Sequence, residues 1–141
     1  MKCQDIMKRN PQCLAPSDDA QLAARKMRDA NVGFLPICDA QGKVQGTLTD
    51  RDLTLRLIAE SKPVSTPVSE LMTKETVSCR PTDDVTRATE LMRQNHVSRI
   101  LCCDNGGKLI GVISLSDIAQ KVDEHDVAET VRVVTEREAH P

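Results

Sequence analysis

Two seven-residue stretches carry the residue types that a ligand site needs, Gly46-Thr47-Leu48-Thr49-Asp50-Arg51-Asp52 and Gly111-Val112-Ile113-Ser114-Leu115-Ser116-Asp117. In each, a hydroxyl at the end of a mostly apolar run is followed three residues later by an aspartate. If the run is a strand and the aspartate opens a helix, hydroxyl and carboxylate stand about one helical turn apart on one side of a cleft. A carboxylate accepting two hydrogen bonds is the usual partner of a ribose diol. Thr49 with Asp52 and Ser114 with Asp117 are therefore candidate sugar-binding pairs, and the free N–H groups of a helix start suit an anion such as phosphate. The same spacing also describes an ordinary helix cap, and the sequence leaves both readings open. Arg51 stands between Asp50 and Asp52 while its counterpart is Ser116, so the two stretches are not chemically equal. That guanidinium suits either a phosphate or a salt bridge to a neighbouring aspartate.

Other reactive side chains are more scattered. The six cysteines, at positions 3, 13, 38, 79, 102 and 103, form no C-x-x-C pair and read first as small buried hydrophobes. Cys102 and Cys103 alternate in direction along an extended run, so both cannot face one metal ion. His96, His125 and His140 make no zinc spacing with a cysteine. No phosphate-binding G-x-x-x-x-G-K-[ST], dinucleotide G-x-G-x-x-G, nucleophile-elbow G-x-S-x-G or H-E-x-x-H occurs, and the expectation is a protein that is not an enzyme. The acidic pairs Asp18-Asp19 and Asp83-Asp84 read as helix-start residues rather than acid–base groups.

The elements that must position these groups come from an internal repeat. Sliding the 141-residue sequence on itself gives a match at a constant offset of 65, with identical pairs that include Met7/Met72, Pro16/Pro81, Cys38/Cys103, Gly46/Gly111 and Asp52/Asp117. In each copy Pro, a hydroxyl and two acids open a helix, with Ser17 or Thr82 as the expected cap. Ala20, Ala23, Ala24 and Met27, and likewise Val85, Ala88 and Met92, have helical spacing. Extended runs at 33–38 and 98–103 end in turns at Asp39 to Gly42 and Asp104 to Gly107, and second strands follow at Val44 to Thr49 and Leu109 to Ser114. A second helix opens at Asp50 or Leu115. Each copy thus reads as a short lead strand, a helix, a hairpin and a helix, too small to cover its own sheet, so two copies are expected to pack sheet to sheet. The expected boundaries are 1–60, a Pro-containing linker 61–67, 68–123, and a terminal helix or tail over 124–141, with Val127, Ala128, Val131 and Val134 on one face.

Composition limits the function classes. Apolar residues make up 39% of the chain, Phe34 is the only aromatic, and 19 basic residues face 21 acidic ones for a net charge of −2. A chain with no positive field and almost no stacking platform is a poor nucleic-acid binder. No apolar run approaches the roughly 18 residues of a membrane span, and the first residues do not resemble a signal peptide, which points to the cytoplasm.

The repeated G-x-x-[TS]-x-x-D, with Leu35-Pro36-Ile37-Cys38-Asp39 and the lead Asp5-Ile6-Met7, resembles the cystathionine-β-synthase (CBS) domain, and the layout is similar to stand-alone bacterial CBS-pair proteins such as the hypoxic response proteins. The resemblance implies an α+β fold, a tandem pair of β-α-β-β-α units with pseudo-two-fold symmetry (a Bateman module). It further implies clefts between the units for adenosine-containing ligands (AMP, ADP, ATP or related), and a homodimer. It implies nucleotide-binding roles for Thr49, Arg51, Asp52, Ser114 and Asp117, and for Arg99, which resembles residues that reach phosphate. Leu101 in place of the family's proline, and Ser98 where some nucleotide sensors carry histidine, point away from a triphosphate sensor. In the family layout Cys13 and Cys38 both approach the first cleft and could form a redox switch or share a metal. The expected function is a regulatory module without catalytic cofactor, signalling to a separate protein partner, with a Cys13/Cys38 redox or metal sensor and a constitutive interaction scaffold as alternatives.

Overall fold

The computed structural model describes residues 1–121 and 124–139. It is a mixed α+β chain that runs α1 (Cys3–Ile6), β1 (Lys8–Arg9), α2 (Ala20–Ala30), β2 (Phe34–Cys38), β3 (Val44–Thr49), α3 (Asp50–Asp52), β4 (Ser78–Cys79), α4 (Val85–Asn95), β5 (Arg99–Cys103), β6 (Leu109–Ser114), α5 (Leu115–Ala119) and α6 (Glu124–Ala139). The six residues after α3, Leu53–Ile58, continue it as π-wound turns in which the Ala59 N–H donates to Thr54 O, five residues back.

The boundaries 1–60, 61–67, 68–123 and 124–141 follow the sequence repeat, whereas in space the chain groups into two compact units that exchange their lead segments. One compact unit is Pro11–Thr76, and the other joins Met1–Asn10 to Val77 and beyond. The physical reason lies in the repeated Met and Gly. A Cβ on Gly111 of β6 would stand 2.9 Å from Met7 Sδ and 2.8 Å from Lys8 O, and one on Gly46 of β3 would stand 2.6 Å from Met72 Sδ and 2.8 Å from Thr73 O. Each lead segment thus lies against the glycine of the other sequence repeat. Thr73 bridges Thr47, and β1 pairs antiparallel with β6. Residues 61–67 are equally committed: Thr66 O accepts from the Ala20 N–H and Val64 O from the Gln21 N–H, so this stretch ties down the start of α2.

In the 11–76 unit, β2 and β3 form a hairpin, with Leu14 bridging Ile37 in parallel. Its core holds Leu14, Met27, Leu35, Ile37, Leu48, Leu53, Leu57, Val68 and Leu71. The second unit has a four-stranded sheet in the order β1-β6-β5-β4 and a core of Cys3, Ile6, Cys79, Met92, Ile100, Cys102, Ile113, Ile118 and Val134. Aliphatic residues, methionine and cysteine replace the aromatics that the composition lacks.

Local signals mostly land where expected, with two corrections. The caps of α2 and α4 are Asp19 and Asp84, not Ser17 and Thr82, because each helix starts two residues further on; Asp19 Oδ1 accepts from the Leu22 N–H at 2.9 Å. Both helices end on a left-handed residue at equivalent positions, Asn31 at φ 54° and His96 at φ 52°. Gly42 and Gly107 both take φ 82°, the positive value their hairpin turns require. The second correction concerns α6: its buried side includes Thr130 and Val134 with Val127 half-buried, while Ala128 and Val131 face outward. Arg93 donates to the Thr130 hydroxyl at 2.9 Å, which satisfies a polar group that would otherwise be costly to bury. His140 lies outside the described residues.

Candidate functional site

The two hydroxyl–carboxylate pairs form the same construction. Thr49 ends β3 as the N-cap of α3: its Oγ1 accepts from the Asp52 N–H at 3.1 Å, and Asp52 Oδ2 accepts from the Thr49 N–H at 2.9 Å. Ser114 and Asp117 repeat this at the junction of β6 and α5, with 3.1 Å and 2.9 Å. The capping reading is therefore satisfied in full, and it uses one oxygen of each carboxylate. The other oxygen stands within ion-pair distance of a cation. Asp52 Oδ1 faces Arg56 Nη2 at 3.7 Å, and Asp117 Oδ1 faces Lys8 Nζ at 3.6 Å, with the aspartate side chains 15% and 14% exposed. A carboxylate fixed by a reciprocal cap, with its outer oxygen near a cation, is a preorganised acceptor for a hydroxyl donor.

The neighbours differ between the two pairs. Arg51 is exposed, and its N–H donates to Asp50 Oδ1. Arg56, absent from the sequence expectations, also donates to Leu71 O at 2.8 Å, and its counterpart Lys121 reaches Asp5 O at 3.5 Å. Each cation thus ties a second helix to a lead segment. Arg99 is exposed at the start of β5 and stands in register with Ser114, whereas Phe34 stands in register with Thr49. Ser116 Oγ lies 2.8 Å from Ser114 Oγ. Lys8 escaped sequence reasoning because its repeat counterpart is Thr73, so nothing in the repeat marks it; the crossing of the lead segments brings it to Asp117. Leu53 and Leu57 are core residues.

The structure brings Cys13 and Cys38 together, the Cys38 thiol donating to Cys13 Sγ over 3.8 Å. Cys38 is buried and Cys13 half-buried. A second thiol group lies in the other unit and was missed from sequence: Cys79 and Cys102 are register partners in the parallel β4–β5 pair, and Cys3 joins them from α1 in the same core. Its contacts with the Cys102 and Cys3 thiols, together with burial, push the Cys79 thiol up, while the contact with Cys79 holds the Cys3 and Cys102 thiols below their ordinary value. Burial pushes the Cys103 thiol up to about 11. Among the described residues no group of three or more His, Cys, Asp and Glu side chains is placed to hold a metal ion. No described helix is long and apolar enough to cross a membrane.

Comparison with known proteins agrees with this geometry. The CBS-domain family model matches residues 3–59 and 68–124. The CBS domain-containing protein YhcV of Bacillus subtilis is 37% identical over 116 residues, 82% of this chain and 81% of its own. Hypoxic response protein 1 of Mycobacterium tuberculosis is 26% identical over 132 residues, 93% of this chain and 92% of its own. A crystal structure of Hypoxic Response Protein I with two coordinated zinc ions has a TM-score of 0.80 at 25% identity, covering 87% of this chain and 100% of that one. The CBS domain protein PAE2072 from Pyrobaculum aerophilum, complexed with AMP, shares the fold with a TM-score of 0.78 at 20% identity, covering 94% and 99%. Two matched repeats, two identically capped carboxylates and the shared fold place the chain in the CBS-domain family as a tandem pair.

Proposed function

We propose that the protein is a regulatory, non-catalytic module that binds an adenosine-containing nucleotide and passes its occupancy to a separate protein partner in the cytoplasm. The observation that carries this reading is the duplicated cap. Asp52 and Asp117 are each locked by one oxygen and offer the other, which suits a ribose hydroxyl. Thr49 and Ser114 hold the carboxylates in place, and Arg51 and Arg99 supply exposed positive charge beside them. PAE2072, a protein of the same fold, is complexed with AMP, and this supports an adenine nucleotide as the ligand class. Ligand binding moves a helix equilibrium only if one arrangement binds better than the other, and the partner then reads that difference. The working form is a homodimer. Calorimetric titration of reduced protein with AMP, ADP, ATP and S-adenosylmethionine tests the reading. Binding that weakens in Asp52→Ala or Asp117→Ala supports it, and no heat with any ligand refutes it.

A second reading has its own observation, the 3.8 Å approach of the Cys13 and Cys38 sulfurs. The two thiols can lose two electrons and two protons to an oxidant such as a peroxide and close a disulfide, once the sulfurs move to about 2.05 Å. The zinc ions of Hypoxic Response Protein I suggest metal capture as another use of these thiols. A change in partner or ligand response on oxidation, lost in Cys13→Ser, is the signature of this reading.

A further inference from the structure

The tip of the β5–β6 hairpin carries a reactive pair of residues that the β2–β3 hairpin lacks. Of the four asparagines, at positions 10, 31, 95 and 105, only Asn105 precedes a glycine. An asparagine side chain closes on the next backbone nitrogen most readily when that residue has no side chain to obstruct the ring. Pro11 has no N–H to offer after Asn10, and the side chains of Val32 and His96 obstruct closure after Asn31 and Asn95. In the β2–β3 hairpin the equivalent residues are Ala40 and Gln41, and Ala40 has no side-chain carbonyl.

Asn105 and Gly106 are both exposed at the turn, so water reaches the side-chain amide. Asp104 holds that turn closed. Its Oδ1 accepts from the Gly106 N–H and from the Lys108 N–H, each at 2.9 Å, and its backbone O accepts from the Gly107 N–H at 3.1 Å. The nitrogen that would attack is thus the one the Asp104 carboxylate engages. Removing its proton sets an amide anion beside a carboxylate, and ring closure needs the Asn105–Gly106 peptide to rotate out of that hydrogen bond.

We infer that Asn105 is a self-modification site guarded by Asp104, converted to aspartate and isoaspartate when the turn opens. With the guard released, hydroxide takes the Gly106 N–H proton and the nitrogen bonds to Asn105 Cγ. The Cγ–Nδ2 bond breaks, and the leaving nitrogen takes a proton from water and departs as ammonia. Water then opens the succinimide ring at either carbonyl. Opening at Cγ leaves an ordinary aspartate, and opening at the main-chain carbonyl leaves isoaspartate, whose backbone runs through the side chain. In balance, water enters and ammonia leaves, with no change of oxidation state. Isoaspartate lengthens the backbone of a turn that adjoins the Cys102/Cys103 register shift, so pairing is lost at that end of the hairpin.

The test holds the full chain in warm neutral buffer, folded or in urea, and follows the tryptic peptide 100–108 by mass spectrometry, with electron-transfer fragmentation to distinguish isoaspartate. Asn105 converts about tenfold or more slowly in the folded chain than in urea, as a hydrogen bond to a charged group requires. Asp104→Ala accelerates the folded-state conversion by about that factor, whereas Asp104→Asn, which keeps an acceptor oxygen, stays nearer the unsubstituted rate. Gly106→Ala suppresses conversion, and its added Cβ meets nothing closer than Asp104 Oδ1 at 3.5 Å, so the hairpin stays folded. No conversion in urea, equal rates folded and in urea, or no acceleration in Asp104→Ala overturns the inference. If Asp104→Ala does not fold, the comparison of folded with urea-treated unsubstituted chain decides alone.

Discussion

Replacing Ile6 by Ala asks whether the N-terminal segment stabilises the unit that its own repeat does not contain. Ile6 is 3% exposed and packs in the core with Met92, Ile100, Ile113 and Ile118. The substitution removes three methylene-sized groups at about 0.8 kcal/mol each, and the cavity left behind raises the cost to about 3 kcal/mol. That is a large fraction of the about 5–15 kcal/mol that holds such a domain together, and it corresponds to a fall of about 10 °C in melting temperature. Native-state hydrogen exchange locates the loss. Protection falls at the amides of β5 and β6, such as Leu101, which donates to Val77 O, and Val112, which faces Lys8. It holds at Leu48 and Thr47 in β3. Faster exchange in β2 and β3 with β5 and β6 unchanged would refute the crossed arrangement, because it would place the lead segment with its own repeat.

Four further outcomes follow from particular contacts. Thr49→Ala and Ser114→Ala each remove one half of a reciprocal cap and cost about 1 kcal/mol in chemical denaturation, with ligand affinity falling in the same variant as the carboxylate loses its fixed orientation. The Thr86 hydroxyl and N–H hold the Asp84 carboxyl below its ordinary 3.8, so its stabilisation is complete above the unfolded-state value and fades as pH falls through the depressed one; Thr86→Ala moves the Asp84 titration upward in a carbon-detected NMR experiment, and an unchanged midpoint contradicts the assignment. Mild peroxide treatment lowers the intact mass by two hydrogens through Cys13 and Cys38, reversibly, and Cys13→Ser abolishes the change. In the folded protein Cys103 reacts slowly with alkylating reagents near neutral pH because its thiol is pushed up to about 11.

Much of the fold was legible because it is written twice. Helix spacing, hairpin turns at Gly42 and Gly107, and the start of the second helices all follow from local chemistry, and the repeat confirms each by its twin. The caps shifted from Ser17 and Thr82 to Asp19 and Asp84 because a run of several capping residues does not itself say which one the helix begins after. The crossing of the lead segments was not legible, since Met7 and Met72 match each other as well as they match the glycines they pack on. That one topological fact explains why Lys8 was missed: it is far from Asp117 in sequence and adjacent only in space. The thiol group of Cys3, Cys79 and Cys102 was hidden for the same reason, because three separate elements contribute it. The proximity of Cys13 and Cys38 was anticipated through the family resemblance rather than through any spacing.

Whether the capped carboxylates hold an adenine nucleotide is decided by titrating 15N-labelled, reduced protein with AMP. The amides of Thr49 and Asp52, of Ser114 and Asp117, or of both pairs report binding beside the bonds they make in the caps. Saturable shifts are expected at one or both pairs, lost from a pair when its aspartate is changed to alanine. Shifts that saturate elsewhere, with both pairs unmoved, or no shifts at any AMP concentration, would contradict nucleotide binding there.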